Sequence, residues 1–160
     1  MGTPLKDWDV NIFRGITTGF NQAFIIDTET KEKLCKEDPK CTEIIKPILR
    51  GRDIGRYYYN WKGLWIINSH NGLKTHGIPP IDVRKDYPKI YEYFVEINNI
   101  TNGTVETRPD KGNHWTNLRN CAYLEEFEKE KIVWNRITDK IIFSYVASNY
   151  FILDSTFMIT

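Results

Sequence analysis

The chain has 160 residues, with 22 Lys+Arg against 21 Asp+Glu, 41% hydrophobic residues, 14% aromatic residues and three cysteines. A length of this order predicts one domain over residues 1–160, large enough to bury about 70% of its unfolded surface. Mixed charge and a generous aromatic supply exclude a disordered chain, and no apolar run approaches the ~18 residues of a membrane helix.

The opening Met1-Gly2-Thr3-Pro4-Leu5-Lys6 lacks the apolar stretch of a secretory signal, and Lys6 stands where an acylation signal wants Ser or Thr. The expected location is the cytoplasm, with no membrane partner. Cys35, Cys41 and Cys121 contain no C-x-x-C pair, which fits reduced thiols and predicts no structural metal. Overall neutrality leaves nucleic acid open, because phosphate responds to the field of one face.

In chain order, the apolar runs Ile12-Phe13 and Ala23-Phe24-Ile25-Ile26 read as strands, with Gly15 and Gly19 marking turns between them. Thr28 to Ile45 is polar with sparse anchors and is broken at Asp38-Pro39, predicting two short helical pieces. Ile54 to Tyr59 and Leu64 to Asn68 are rich in aromatic and branched residues and predict a hairpin across Asn60-Trp61-Lys62-Gly63. Ser69 to Pro80 is punctuated like an exposed loop.

Ile90, Tyr91, Phe94, Val95 and Ile97 share one helical face after Tyr87-Pro88, so a helix is expected from Pro88. Thr101 to Asn113 reads as loop, Trp115 to Phe127 as short helical pieces, and Lys131 to Arg136 as a strand. Ile141 to Tyr145, Tyr150 to Leu153 and Phe157 to Ile159 read as further strands. This order predicts an α+β fold of mixed, mostly antiparallel strands with a few short helices.

The densest cationic stretch is Lys46 to Lys62, where Lys46, Arg50, Arg52, Arg56 and Lys62 face the single carboxylate of Asp53. Tyr57, Tyr58, Tyr59 and Trp61 are interleaved with them. Guanidinium forks fit phosphates and aromatic rings stack on bases, so the mixture suits a nucleic-acid face; a solvated Arg-rich hairpin is the plain alternative. Arg108, Lys111, Asn113, His114 and Arg119 form a second candidate, since Arg and Asn read guanine and adenine edges; alternatively Arg108 pairs with Glu106 and Trp115 anchors the core.

Lys129, Lys131 and Arg136 flank Ile132-Val133-Trp134 and could touch a DNA backbone or pair with the neighbouring glutamates. His70 and His76 have no third ligand nearby and suit phosphate contact better than metal. Neither a nucleophile elbow nor a phosphate-binding glycine loop occurs. Asp27, Glu29 and Lys31 form an acid-x-lysine triplet, with Pro109-Asp110 a second partial match, so a stand-alone Mg²⁺ nuclease is one rival reading. A protein-interaction module with an aromatic face is another.

Five segments in order resemble one family. They are Ile16-Thr17-Thr18-Gly19-Phe20-Asn21-Gln22-Ala23-Phe24, then Ile44-Ile45-Lys46-Pro47-Ile48-Leu49-Arg50-Gly51-Arg52-Asp53-Ile54 with Arg56-Tyr57, then Tyr87-Pro88, Trp115-Thr116-Asn117-Leu118-Arg119, and Phe127-Glu128-Lys129-Glu130-Lys131-Ile132-Val133-Trp134. The pattern is similar to the C-terminal specificity domain of TaqI-like adenine methyltransferases and single-chain restriction-modification enzymes.

The resemblance implies a target recognition domain that binds double-stranded DNA without catalysis or cofactor of its own. Lys46, Arg50, Arg52, Arg56 and Lys131 would hold phosphates, while Arg108, Lys111, Asn113, His114 and Arg119 would read bases. The parent protein would methylate adenine at N6 with S-adenosylmethionine, with Mg²⁺ needed if it also cleaves. The methyltransferase marks are absent, since Ile78-Pro79-Pro80-Ile81 lacks the amide and the aromatic of the catalytic tetrad. A methyltransferase domain is therefore expected upstream in the same polypeptide and a helical segment downstream, with an apolar face left open by the latter.

Overall fold

Alternating side chains near the end of the chain dictate one half-buried sheet, and branched runs in its first half dictate a second. The computed structural model describes residues 2–140 and 142–160. In order it contains β1 (Ile12–Arg14), α1 (Asn21–Phe24), β2 (Ile25–Asp27), α2 (Thr28–Glu37), β3 (Ile45–Leu49), β4 (Ile54–Gly55), β5 (Tyr58–Tyr59) and β6 (Leu64–Ile67). Then follow α3 (Val83–Asp86), α4 (Pro88–Ile100), α5 (Thr104–Thr107), β7 (Lys131–Asn135), β8 (Phe143–Val146), β9 (Phe151–Ile152) and β10 (Thr156–Ile159).

One sheet has the order β1-β10-β7-β8 and is antiparallel throughout. The other has the order β2-β6-β3-β9, antiparallel except where β3 meets β9. The architecture is the mixed, mostly antiparallel α+β fold that the element order predicts. No helix among the described residues is long and apolar enough to cross a membrane.

Pro88 opens α4, whose Ile90 and Phe94 are fully buried, and the Phe94 ring lies 4.8 Å from that of Phe24. Each such side chain contributes about 1.5–3 kcal/mol by leaving water. The break at Asp38-Pro39 is also as expected: Asp38 ends α2 and caps a 3₁₀ turn at Pro39–Glu43. Asp27 caps the start of α2 by accepting from the Thr30 amide at 2.8 Å.

Several expectations need correction. The predicted hairpin is replaced by a tighter one, β4 with β5, turning at Arg56-Tyr57 with Tyr57 at φ 67°. Strand β6 instead lies between β2 and β3, because Ile66 and Ile67 are both fully buried and need cover on two faces. The two strands predicted between Ile12 and Ile26 do not pair with each other, and Ala23-Phe24 turn as α1 before β2 begins.

Within Trp115 to Phe127 the helical part is the 3₁₀ turn at Leu124–Glu128. In the loop read as exposed, Ser69, Asn71 and Leu73 are buried, while Lys74 to Pro80 stay in solvent. Ile141, at the start of one predicted strand, lies outside the described residues.

In the sheet containing β1, the register puts Ile12, Ile159, Ile132 and Tyr145 in one row and Phe157, Trp134 and Phe143 in another on the same side. Met158, Val133 and Ser144 point to the opposite side and are buried. The outward side is therefore apolar and largely uncovered: Ile12, Ile132, Phe143 and Tyr145 are all exposed.

Candidate nucleic-acid interface

Strand β3 ends at Leu49, and the chain turns through Arg50-Gly51-Arg52-Asp53 before β4. Arg50 forks onto Asp53, with Nε donating to Oδ2 at 2.9 Å and Nη2 to Oδ1 at 2.8 Å. The Asp53 carboxyl also accepts from the Arg50 amide at 2.9 Å. Burial pushes this carboxyl upward, but the hydrogen bonds from Arg50 and the charges of Arg50 and Arg52 outweigh it and hold Asp53 below its ordinary value. The turn is thus fixed by its own side chains.

Gly51 permits the turn to close on its neighbours. Its amide donates to Ser155 Oγ at 3.0 Å, and a Cβ there would lie 2.8 Å from Asn135 Oδ1. The result is a cleft of about 520 Å³ whose polar lining is Asn21, Arg50, Arg52, Asn135, Arg136 and Asp154 with Ser155. Arg52 and Arg136 are exposed and form no salt bridge among the described residues. Asp154 is already paired with Arg14 at 3.0 Å, so the cleft presents two uncommitted guanidinium groups.

A second cleft of about 250 Å³ is lined by Arg14, Thr17, His70, Arg119, Asn120 and Tyr123 among others. The segment from Arg14 to Asn21 reaches both clefts, with Arg14 to Thr17 lining the second and Asn21 the first. It is bonded to the turn before β10, with the Ile16 amide donating to Ile152 O at 2.8 Å and the Asp154 amide to Ile16 O at 3.0 Å. Gly15 makes this junction possible, since a Cβ there would lie 2.1 Å from Leu153 O. A third hollow, lined by Asn113, His114, Asp82 and Arg84, adjoins the second through the loop from Asn113 to Arg119.

Of the residues singled out by sequence, Arg50 and Arg52 come together in the first cleft. Arg119 lines the second, paired with Asp110 at 3.1 Å, and Asn113 and His114 line the third. Lys111 is exposed and donates to Glu106 O. Arg136 and His70, read from sequence as contacts to the DNA backbone, line the first and second clefts, and Arg14 and Asn120 join the site through the fold. Arg136 directly follows β7 and carried a signal, as a cation at the end of an apolar strand. Arg14, in β1, carried none beyond its charge.

Two expectations fail here through burial, and two further residues lie outside these clefts. Arg108 is 3% exposed, and its guanidinium is used up inside the protein. Nε donates to Thr18 O at 3.0 Å, Nη1 to Val105 O at 2.6 Å and also to Trp115 O, and Nη2 to Asn117 O at 2.7 Å. Its Cζ lies 4.4 Å from the Phe24 ring centre, and burial pulls its pKa down to about 10. Arg108 ties the Arg14–Asn21 wall to the loop after α5 and does not read a base.

Lys131 is 2% exposed and donates to Phe127 O at 2.9 Å and Tyr150 O at 3.0 Å, so it does not hold phosphate. Lys46 lies 3.9 Å from Glu128 and lines none of these three clefts. Arg56 packs over its neighbour Tyr57 in a separate hollow with Lys140 and Phe143. The interleaved aromatics divide as well: Trp61 packs edge-on to Trp65 at 5.0 Å and Tyr59 against Tyr150 at 5.3 Å, while Tyr57 and Tyr58 stay exposed.

The nuclease triplet is also accounted for structurally. Asp27 caps α2, and Lys31 Nζ lies 5.0 Å from the Trp65 ring centre. Asp110 is held by Arg119. Among the described residues no group of three His, Cys, Asp or Glu side chains is placed to hold a metal ion.

Residues 46–160 match the family described as the TaqI-like C-terminal specificity domain. The chain belongs to that family. In this TaqI-like specificity domain the matched residues include Arg50, Arg52, Arg119 and Arg136, while the segment from Arg14 to Asn21 precedes the match. No curated protein sequence matches the chain.

Among solved structures, that of the Type IIL restriction-modification enzyme MmeI in complex with DNA is similar over 92% of this chain, with a TM-score of 0.51 and 10% identity. At that identity the likeness shows the fold. The TaqI-like domain described here spans 18% of the MmeI chain.

Proposed function

We propose that this chain recognises a DNA sequence on behalf of a restriction-modification enzyme and makes or breaks no covalent bond itself. The observation that carries this reading is the first cleft, where Arg52 and Arg136 are unpaired beside an Arg50 locked by Asp53. Guanidinium groups free of carboxylates are what a phosphodiester backbone needs. The adjoining second and third hollows offer Arg119, Asn113 and His114 toward base edges. Family membership and the DNA-bound state of the MmeI structure support the same reading.

The parent protein is proposed to join this domain to a methyltransferase domain that methylates adenine with S-adenosylmethionine, in the cytoplasm. Where the parent also cleaves, Mg²⁺ would serve a nuclease domain elsewhere in it. The share of the MmeI chain that is covered supports a longer parent.

The test is titration of labelled duplex DNA at several salt concentrations. Each lost phosphate contact lowers the slope of log affinity against log salt by about 1. Arg52→Ala and Arg136→Ala are each expected to do so, and to weaken all sequences alike. Unchanged slopes in both variants would remove the first cleft from the interface.

A further inference from the structure

The second cleft presents a set of hydrogen-bond donors that its residue types alone do not reveal. The Gly72 amide donates to His70 Nδ1 at 3.1 Å. A backbone amide is an obligate donor, so Nδ1 is unprotonated and the neutral ring carries its proton on Nε2. Burial lowers the His70 pKa, which keeps the ring in this form near neutrality. Nε2 makes no hydrogen bond among the described residues and is not an orphaned buried atom, so its N–H is accessible on a residue that lines the cleft.

The same reasoning orients Asn120. The Asn113 amide donates to Asn71 Oδ1 at 2.8 Å, which fixes Asn71 Nδ2 on the other side as donor. Asn71 Nδ2 in turn donates to Asn120 Oδ1. One of the two lone pairs of Asn120 Oδ1 is thereby taken, and its NH₂ group is left without a partner among the described residues. Arg14 Nε is also buried without an acceptor, and Arg119 adds its fork. No carboxylate lines this cleft.

Acceptor-only groups of duplex DNA include the phosphate oxygens and the major-groove edge of guanine, which sets two acceptors, N7 and O6, side by side. Charge separates them. Arg14 is matched by Asp154 at 3.0 Å and Arg119 by Asp110 at 3.1 Å, and His70 and Asn120 are neutral. The second cleft thus offers donors without surplus positive charge, whereas the first offers unpaired cations.

We infer that the second cleft takes the guanine edge of one G·C pair, with His70 and Asn120 as specificity-determining donors beside Arg119. This rests on the DNA-recognition reading above and names the chemistry of one part of it.

The experiment is selection of bound duplexes from a randomised library by the chain, by His70→Ala and by Asn120→Asp. Salt titrations of the selected duplexes accompany it. The wild-type consensus is expected to contain a guanine whose preference falls about tenfold in His70→Ala, within the range set by a lost base contact. Asn120→Asp replaces a donor by an acceptor on an exposed residue while keeping an oxygen for Asn71 Nδ2, and is expected to shift that position toward cytosine or adenine, whose edges donate. Placing 7-deazaguanine at the position should weaken wild type and leave His70→Ala unaffected.

An unchanged consensus in both variants, with binding and salt slope intact, overturns the guanine assignment while leaving the DNA-recognition reading standing. Uniform weakening of all sequences with a reduced salt slope assigns the cleft to phosphate and overturns it too. Absence of any duplex binding by the wild-type chain overturns both readings.

Discussion

Replacing Arg108 by Met should unfold the site from within. The side chain is 3% exposed, and removing its guanidinium takes the donor from the carbonyls of Thr18, Val105 and Trp115. The fourth carbonyl, Asn117 O, keeps the Gly112 amide at 3.0 Å. A buried carbonyl left without a donor costs about 1–3 kcal/mol, and loss of the guanidinium over Phe24 costs roughly 1–2 more.

Met fills much of the volume and removes the desolvation cost of a buried cation, which offsets part of the loss. The expected net destabilisation is about 3–5 kcal/mol, equivalent to a fall in Tm of about 10 °C or more for a domain of this length. The assay is thermal and urea unfolding followed by circular dichroism, with duplex binding measured on the fraction still folded. Arg52→Ala serves as control, because an exposed side chain of this kind changes stability by less than about 0.5 kcal/mol. A fall of less than 3 °C in Arg108→Met would refute the reasoning that Arg108 ties the wall to the loop.

Lys131 makes stability depend on pH, because burial lowers its pKa to about 8. A lysine depressed in this way is destabilising while both folded and unfolded chains are charged, and the penalty is relieved as pH rises from about 8 toward the unfolded value. Between pH 8 and 9.5 wild type should gain about 1.5 kcal/mol relative to Lys131→Met, measured as the difference of the two denaturation curves. A flat difference would refute the burial of this charge. Gly15→Ala forces a Cβ onto Leu153 O at 2.1 Å, in the segment that reaches both clefts, and should cost about 3 kcal/mol, checked by urea unfolding. Asp27→Ala removes the cap of α2 and should cost about 1 kcal/mol while leaving duplex binding unchanged, which would also separate Asp27 from any nuclease role.

The order of elements and their local chemistry were legible in the residues. Pro88 with Ile90 and Phe94 set α4, Asp38-Pro39 divided the helical segment after Asp27, and alternation from Lys131 onward set β7. The strand partners were not legible, because β6 takes its neighbours from segments on both sides of it in the chain. Local turn chemistry favoured a hairpin across Asn60-Trp61-Lys62-Gly63, and burial of Ile66 and Ile67 on both sheet faces outweighed it.

The same division holds for the site. Sequence alone determined that the stretch around Arg50-Gly51-Arg52-Asp53 is cationic; its closing as a turn shows in the structure, through contacts three residues apart and the Gly51 bond to Ser155. Tertiary structure decided which cations face solvent. Arg108 and Lys131 are as basic in sequence as Arg52 and Arg136, yet they satisfy backbone carbonyls that only folding brings beside them. It also decided that His70 and Asn120 turn donors to the cleft, since each accepts from a partner whose orientation a backbone amide fixes. A side chain's charge or amide is given by its residue type, whereas the half of its hydrogen-bonding capacity left for a ligand depends on what the fold has already used.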